Sequence, residues 1–170
     1  MKDTFAVLNQ MVKDAALENY AVVGAIGAIF YVEPFSTQDI DVLVVIPEPE
    51  GKVIAELPGW KYLKALGYSE IHGEGIVVES WPVQFLPVSN PLELEAYLSA
   101  QDLDLDGVTV RVARAEHLVA MMLMVGRLKD FARIQIFLAQ EAINSEVLED
   151  ILRRHNLNEK WNDFRNRFLS

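Results

Sequence analysis

The chain has 170 residues, of which 51% are hydrophobic, and its 15 basic and 25 acidic side chains give a formal net charge of −10. The length corresponds to about one domain, and the hydrophobic content excludes an intrinsically disordered chain. The acidic excess opposes non-specific binding along a nucleic-acid backbone, although a bound metal could still supply positive charge at a small phosphate site. Because cysteine is absent, disulfides, thiolate nucleophiles and cysteine-ligated zinc sites are excluded as well.

The chain carries no sequence signal for a membrane or for export. No apolar run approaches the roughly 18 residues that a membrane-spanning helix needs. Lys13, Asp14 and Glu18 follow soon after the first apolar positions, so the N-terminal segment lacks the apolar core of a secretory signal. We therefore expect a cytoplasmic protein that does not associate with membranes.

The first part of the chain alternates predicted helices and strands. Residues 3–17 carry apolar side chains every three or four positions, which predicts an amphipathic helix. A short buried strand is predicted over residues 20–24 and a short helix over residues 25–32. Residues 39–47 form the strongest strand candidate, since they are apolar, rich in β-branched side chains and closed by Pro47. Residues 50–66 favour a helix that is interrupted at Pro58 and Gly59.

The second part begins with strands and ends with helices. Two strands around a glycine-rich turn are predicted over residues 70–80, with His72 near the turn, and another strand is predicted over residues 82–88. Asn90 and Pro91 are typical of the N-cap and first position of a helix. The last strand is predicted over residues 107–112. From residue 116 the pattern predicts three or four helices, two of them capped by Asn144 and Asn158.

These elements predict an α+β fold in which a sheet layer is followed by a C-terminal helical bundle. We expect a single domain over residues 1–170, with an α/β core over 1–115 and the helices of 116–170 packed on it. Residues 151–170 hold five basic and two acidic side chains, in contrast to the acidic remainder. This basic end is either a solvated helical surface or a surface that approaches nucleic acid or another subunit.

Asp39 and Asp41 flank Ile40 at the start of the strongest predicted strand. Residues i and i+2 of a strand project to the same face, so both carboxylates should point one way while Ile40 points into the core. Two adjacent carboxylates repel each other unless a cation lies between them. Ligation by oxygen alone favours Mg²⁺ or Mn²⁺, and such an ion serves phosphoryl transfer from a nucleoside triphosphate. Upstream, Gly24 lies between a strand and a short helix, where a backbone without a side chain lets a phosphate approach.

Residues 20–44, YAVVGAIGAIFYVEPFSTQDIDVLV, resemble the signature of the nucleotidyltransferase superfamily. They are most similar to its minimal bacterial branch, which includes the abortive-infection (type IV toxin–antitoxin) nucleotidyltransferases. The resemblance implies a mixed β-sheet flanked by helices. It also implies that Gly24 and Ala25 form the turn that admits the nucleotide, that Thr37 is the motif threonine, and that Asp39 and Asp41 are the catalytic metal ligands.

A second likeness lies in residues 116–138, EHLVAMMLMVGRLKDFARIQIFL, which are similar to a helix pair of the same family. The family's Gly-Arg-x-Lys-Asp junction between these helices corresponds to Gly126, Arg127, Lys129 and Asp130. The resemblance therefore spans most of residues 20–140, and it implies that Lys129 contacts phosphate.

The chain departs from the family pattern at four positions. The third carboxylate of the family corresponds to Gln84, whose amide can ligate a cation weakly or contact the nucleotide but cannot act as a general base. Glu74 or Glu79 is a candidate to replace that carboxylate. A basic residue expected before the motif threonine is Phe35, an expected lysine is Met122, and an expected aspartate is Arg133.

Two other patterns in the sequence resemble metal-binding motifs, but we do not interpret either of them as a metal site. The run DLDLDG over residues 102–107 imitates the opening of a calcium-binding EF-hand loop, but Ala113 stands where the twelfth loop position needs glutamate, and we expect a solvated turn. The three histidines, His72, His117 and His155, lack the spacing of a zinc site.

The leading hypothesis is a protein that binds a nucleoside triphosphate with Mg²⁺ or Mn²⁺ and transfers a nucleotidyl group to a hydroxyl of a protein, an RNA or a small molecule. One alternative is a catalytically degenerate domain that acts through protein–protein contacts, as in a toxin–antitoxin pair. Another is a regulatory nucleotide binder without transfer. A homodimer and an antitoxin-like partner both stay open.

Overall fold

The computed structural model describes residues 1–33, 36–46 and 59–169, and within them the strands form one seven-stranded sheet. Their bounds are β1 Ala21–Val23, β2 Ile40–Val44, β3 Ile71–His72, β4 Gly75–Val78, β5 Trp81–Pro87, β6 Gln101–Leu105 and β7 Val108–Val112. The helices of the same residues are α1 Lys2–Lys13, α2 Gly24–Ala28, α3 Trp60–Ala65, α4 Pro91–Leu98, α5 Ala115–Val125, α6 Leu128–Ala139, α7 Ser145–Arg154 and α8 Asn158–Phe168.

The sheet is mixed and has the order β3-β4-β5-β2-β1-β7-β6. The central strand β2 pairs in antiparallel fashion with β1 and in parallel fashion with β5, while β1 and β7 run parallel. The remaining pairs, β3 with β4, β4 with β5 and β6 with β7, are antiparallel hairpins. The predicted α+β class with a mixed sheet is therefore confirmed.

The alternation of side chains along β2 divides the hydrophobic core into two layers. Ile40, Val42 and Val44 are fully buried on one face, where they belong to a core that includes apolar side chains of α1 and α3. Leu43 is buried on the opposite face in a second core, which is built mainly from α4 to α8. Asp41 shares the face of Leu43 because the side-chain period of a strand is two. The face that carries the acidic pair is thus the face covered by the C-terminal helices.

The N-terminal helix is held by three apolar residues at successive turns. Phe5, Leu8 and Met11 are fully buried, and each such burial favours folding by roughly 1.5–3 kcal/mol relative to exposure. The helix ends at Lys13 and not near residue 17 as predicted, because Ala15 adopts the left-handed conformation with a φ of 56°.

Two further predictions on local structure are wrong. Residues 101–105 form strand β6 and not a solvated turn, because the half-buried Leu103 and Leu105 alternate with the exposed Asp102 and Asp104. The turn is confined to the two residues that follow β6. Asn158 is also no N-cap: it is the first residue of α8, and Leu157 holds the cap position without a side-chain hydrogen bond.

The caps at Asn90 and Asn144 agree with the prediction, whereas α2 ends at Ala28 and not at residue 32 as predicted. Asn90 accepts a hydrogen bond from the Glu93 N–H at 3.0 Å, and Asn144 accepts one from the Val147 N–H at 3.1 Å. Pro47 and the part of the predicted 50–66 helix before residue 59 lie outside the described residues. In the described residues, no helix combines the length and the apolar character that crossing a membrane requires.

The two asparagines at helix starts give a matched test of this assignment. Replacing Asn144 with alanine removes the acceptor for the Val147 N–H and should lower the free energy of unfolding by about 1 kcal/mol. Asn158→Ala removes no cap and should change that free energy by less than about 0.5 kcal/mol. Urea unfolding of both variants measures the difference, and equal losses would contradict the assignment.

Candidate functional site

The acidic pair lies where β2 begins, next to a pocket. Asp39 precedes the strand and is exposed, whereas Asp41 is its second residue and is partly buried. Both side chains line the same pocket, and Ile40 between them is fully buried. The predicted alternation across this tripeptide is therefore present. Thr37 fixes the first carboxylate, since its hydroxyl donates to Asp39 Oδ1 at 3.0 Å.

Gly24 forms the wall of the pocket directly against Asp41. It follows β1, begins α2 and has a φ of 62°, a conformation that favours glycine. A Cβ atom placed on Gly24 would lie 2.2 Å from Asp41 Oδ2. Any other residue would have to displace the carboxylate as well as strain the backbone. With only five residues in α2, this close approach, more than a helix terminus, explains why the sequence has glycine here.

The environment of Asp41 disfavours a negative charge. Burial and the neighbouring Asp39 charge raise the pKa of Asp41 to about 6, and the positive charges of Arg127, Lys129 and Arg133 partly oppose that rise. A cation bound between the two carboxylates would compensate their negative charge. It would reduce the repulsion between Asp39 and Asp41 and lower the pKa of Asp41.

A cationic wall faces the acidic pair from the start of α6. Arg127, Lys129 and Arg133 line the same pocket. Arg127 is held by Asp130, whose carboxylate is only 1% exposed and accepts from the arginine Nε at 2.7 Å and Nη2 at 3.1 Å. Arg133 Nη1 lies 4.0 Å from Asp130 Oδ1, the oxygen that accepts from Arg127 Nη2. Lys129 is exposed, and no described residue forms an ion pair with it.

Arg133 occupies the position at which the family pattern has an aspartate. The sequence analysis did not predict that this residue belongs to the site. The structure places this cation in the pocket, so the site has more positive charge than the motif departures suggest. Met122, where a lysine is expected, also lines the pocket and is buried. Phe35 lies outside the described residues.

Gln84 lies beside Asp41 on the neighbouring parallel strand. The two residues are paired in register between β2 and β5, and Gln84 lines the pocket. Its Nε2 donates to Glu74 Oε2 at 2.6 Å. Glu79, the other candidate for the third carboxylate, instead accepts a hydrogen bond from the Tyr68 hydroxyl and does not line the pocket. Of the two candidates, only Glu74 contacts Gln84, and neither of them lines the pocket itself.

The pocket brings together the residues that the sequence analysis assigns to nucleotide and metal binding, but neither Glu74 nor Glu79. Its cavity measures about 370 Å³, which is in the range of small-molecule sites. The predicted lining residues are Gly24, Ala25, Thr37, Asp39, Asp41, Gln84 and Lys129. Glu93 also lines the pocket and was missed, because its position three residues after Asn90 is typical of a helix start. Its carboxylate indeed accepts from the Ser89 N–H and hydroxyl, both at 2.8 Å.

The donor set fits a hard divalent cation with few protein ligands. Asp39 and Asp41 offer carboxylate oxygens, and Gln84 offers an amide oxygen. Among the described residues, no group of three or more Asp, Glu or His side chains is arranged to hold a metal. A cation at this place would therefore keep water or substrate oxygens in its shell, which is the usual behaviour of Mg²⁺ and not of zinc.

Comparison with known proteins identifies the fold. No protein-family model and no curated protein sequence matches the chain. Solved structures with a similar fold include an antigenic nucleotidyltransferase-like protein from Paracoccidioides brasiliensis, with a TM-score of 0.58 and 13% identity over 97% of this chain and 90% of that one. ANT(2″)-Ia in complex with adenylyl-2″-tobramycin gives a TM-score of 0.54 and 13% identity over 95% of this chain and 99% of that one.

The Megavirus polyadenylate synthase is a further structural neighbour, with a TM-score of 0.50 and 16% identity. The likeness covers 83% of this chain and 31% of the synthase. Identities this low establish the fold alone. The chain has an α+β nucleotidyltransferase-like fold, as the resemblance of its motifs implies.

The raised pKa of Asp41 predicts a pH-dependent cost to stability. The pKa of Asp41 in the folded chain is about 6, above the ordinary 3.8. The folded state therefore favours the neutral carboxyl group, and the stability that this group contributes is fully present below pH 3.8 and is lost as the pH rises through 6. Asp41→Asn should therefore raise the free energy of unfolding at pH 8 by about 3 kcal/mol relative to the wild type. The gain should disappear near pH 4.

Urea unfolding in a chelating buffer between pH 4 and pH 8 measures this effect. Asp104→Asn is the control, because that carboxylate is exposed on β6 outside the pocket. A stability difference for Asp41→Asn that does not change with pH would contradict the assigned burial and repulsion.

Proposed function

We propose that the protein binds a nucleoside triphosphate together with Mg²⁺ or Mn²⁺ and transfers its nucleotidyl group to a hydroxyl acceptor. The observation that carries this proposal is the pocket in which Asp39 and Asp41 face the cations of α6. A triphosphate bound through a divalent cation needs carboxylates on one side and basic side chains on the other. The nucleotidyltransferase-like fold supports the same activity.

In the proposed reaction an acceptor hydroxyl oxygen forms a bond to the α-phosphorus. The bond between that phosphorus and the oxygen bridging to the β-phosphate breaks, pyrophosphate leaves, and the proton of the acceptor hydroxyl passes to water. The divalent cation, when bound, neutralises charge on the phosphate oxygens. The remaining work, which is to bind and align the two substrates, belongs to the protein side chains.

Each side chain of the pocket has a distinct part in this proposal. Asp39 and Asp41 hold the cation, and Thr37 orients Asp39 through its hydrogen bond. Gly24 and Ala25 let the triphosphate approach the backbone, because neither presents a side chain beyond Cβ. Lys129, which forms no ion pair with a described residue, contacts the phosphates.

The acceptor is proposed only as a class. The ligand named with ANT(2″)-Ia is an adenylylated small molecule, and another neighbour is a polyadenylate synthase; both names describe an adenylyl group joined to an acceptor. A small molecule, an RNA and a protein all stay candidates for this chain. The finer likeness to the abortive-infection branch, an antitoxin-like partner, a homodimer and a cytoplasmic location stay predictions from the sequence.

The acidic pair can be tested against a second Asp-x-Asp sequence in the same chain. Asp39→Asn/Asp41→Asn should weaken Mg²⁺-dependent binding of nucleoside triphosphate at least about tenfold, since both carboxylate ligands are lost. Asp102→Asn/Asp104→Asn makes the same change of charge on β6, outside the pocket, and should leave binding unchanged. Isothermal titration with ATP, CTP, GTP and UTP in the presence of Mg²⁺ measures both.

A folded wild type that binds none of the four triphosphates contradicts the proposal. Equal losses in the two double variants would also contradict it, because they would show that net charge and not the pocket determines binding. Binding without incorporation of labelled nucleotide into any acceptor would favour the regulatory nucleotide binder.

Lys129 gives a separate prediction for the phosphate side of the pocket. Lys129→Gln should weaken triphosphate binding by about tenfold, which corresponds to the loss of one charge-assisted contact. The salt dependence of the affinity should become shallower at the same time. Lys64→Gln, on α3 outside the pocket, is the matched control. Titrations at two salt concentrations measure both variants, and an unchanged affinity in Lys129→Gln would remove this residue from the site.

A further inference from the structure

The Gln84 amide has its two polar atoms in different surroundings. The nitrogen donates to Glu74 at 2.6 Å, and Glu74 is exposed in the β3–β4 turn and does not line the pocket. Gln84 itself lines the pocket in register with Asp41. An ionised carboxylate can only accept hydrogen bonds, so the group that faces Glu74 must be the NH₂. The carbonyl oxygen is then the polar atom left for the pocket.

We propose that Glu74 is a positioning residue that presents the Gln84 carbonyl oxygen as the third oxygen donor beside Asp39 and Asp41. The inference rests on the proposed function, since it concerns the same cation site. Without Glu74 the amide would be free to rotate and to turn its NH₂, which repels a cation, toward the pocket. A partner that orients a metal ligand in this way commonly contributes 10-fold or more to metal affinity.

A single carboxylate in the pocket would supply both a negative charge and an oxygen donor, whereas here Glu74 supplies the charge and Gln84 supplies the donor. The negative charge lies outside the pocket on Glu74, and a neutral oxygen lies inside it on Gln84. This arrangement avoids placing a third negative charge next to Asp39 and Asp41, where the repulsion would be greatest. Glu79 offers a contrast, because its carboxylate accepts from the Tyr68 hydroxyl and does not line the pocket.

The test measures the affinity for Mn²⁺ alone, by electron paramagnetic resonance of the free ion, so that no turnover is needed. Glu74→Gln should weaken Mn²⁺ binding about tenfold, because the new amide can offer Gln84 either an oxygen or an NH₂. Glu79→Gln makes the same change at the other turn and should bind as the wild type does. Both positions are exposed, and thermal unfolding of the two variants checks that each is folded at the temperature of the titration.

The double variant Glu74→Gln/Gln84→Glu provides the decisive readout. It keeps the hydrogen bond with its polarity reversed and places a carboxylate in the pocket, so Mn²⁺ affinity should return at least to the wild-type value. A purely structural role for Glu74 predicts no loss in Glu74→Gln. Either that result or a double variant as weak as Glu74→Gln overturns the inference while the proposed function stands. A wild type that binds no Mn²⁺ overturns both.

Discussion

The site depends on one constraint: the Asp41 carboxylate is held against the backbone of Gly24 while a second carboxylate lies two residues away. The space for a side chain on Gly24 is already occupied by Asp41 Oδ2. Burial and the charge of Asp39 make ionisation of Asp41 unfavourable. The folded chain therefore keeps an electrostatic strain at the start of β2, and a bound cation would relieve it. Pre-organised charge of this kind is typical of functional sites.

The rest of the fold serves to place opposite charge across from that pair. Packing of α5 and α6 on the Leu43 face brings the start of α6 over the pocket. There the buried Asp130 fixes Arg127 through two hydrogen bonds, and so holds one side of the cationic wall in place. The carboxylate of Asp130 also accepts from the backbone N–H of Arg127 at 3.2 Å, which ties the charge arrangement to the start of the helix itself.

The sequence was sufficient for the parts of the site that depend on local pattern. The Asp-Ile-Asp alternation, the glycine before a short helix and the caps at Asn90 and Asn144 follow from residue spacing alone, and each is present.

Long-range geometry was not predictable in the same way. Nothing local tells that Arg133, one turn into α6, faces Asp41, or that Glu93, which looks like a capping residue, also borders the pocket. Strand β6 was missed because its acidic residues are typical of a loop. It forms because residues 101–105 pair with β7, and this pairing also determines which face of the sheet its leucines occupy. The Glu74–Gln84 contact joins the β3–β4 turn to β5, so it forms only when β4 pairs with β5.

The most direct measurement of the central claim is a crystal structure of the protein soaked with Mn²⁺ and a nucleoside triphosphate, in which anomalous scattering locates the metal. We expect an anomalous peak between the carboxylates of Asp39 and Asp41, with the phosphates extending toward Lys129. Metal and triphosphate bound together at another surface, with this pocket empty, would contradict it.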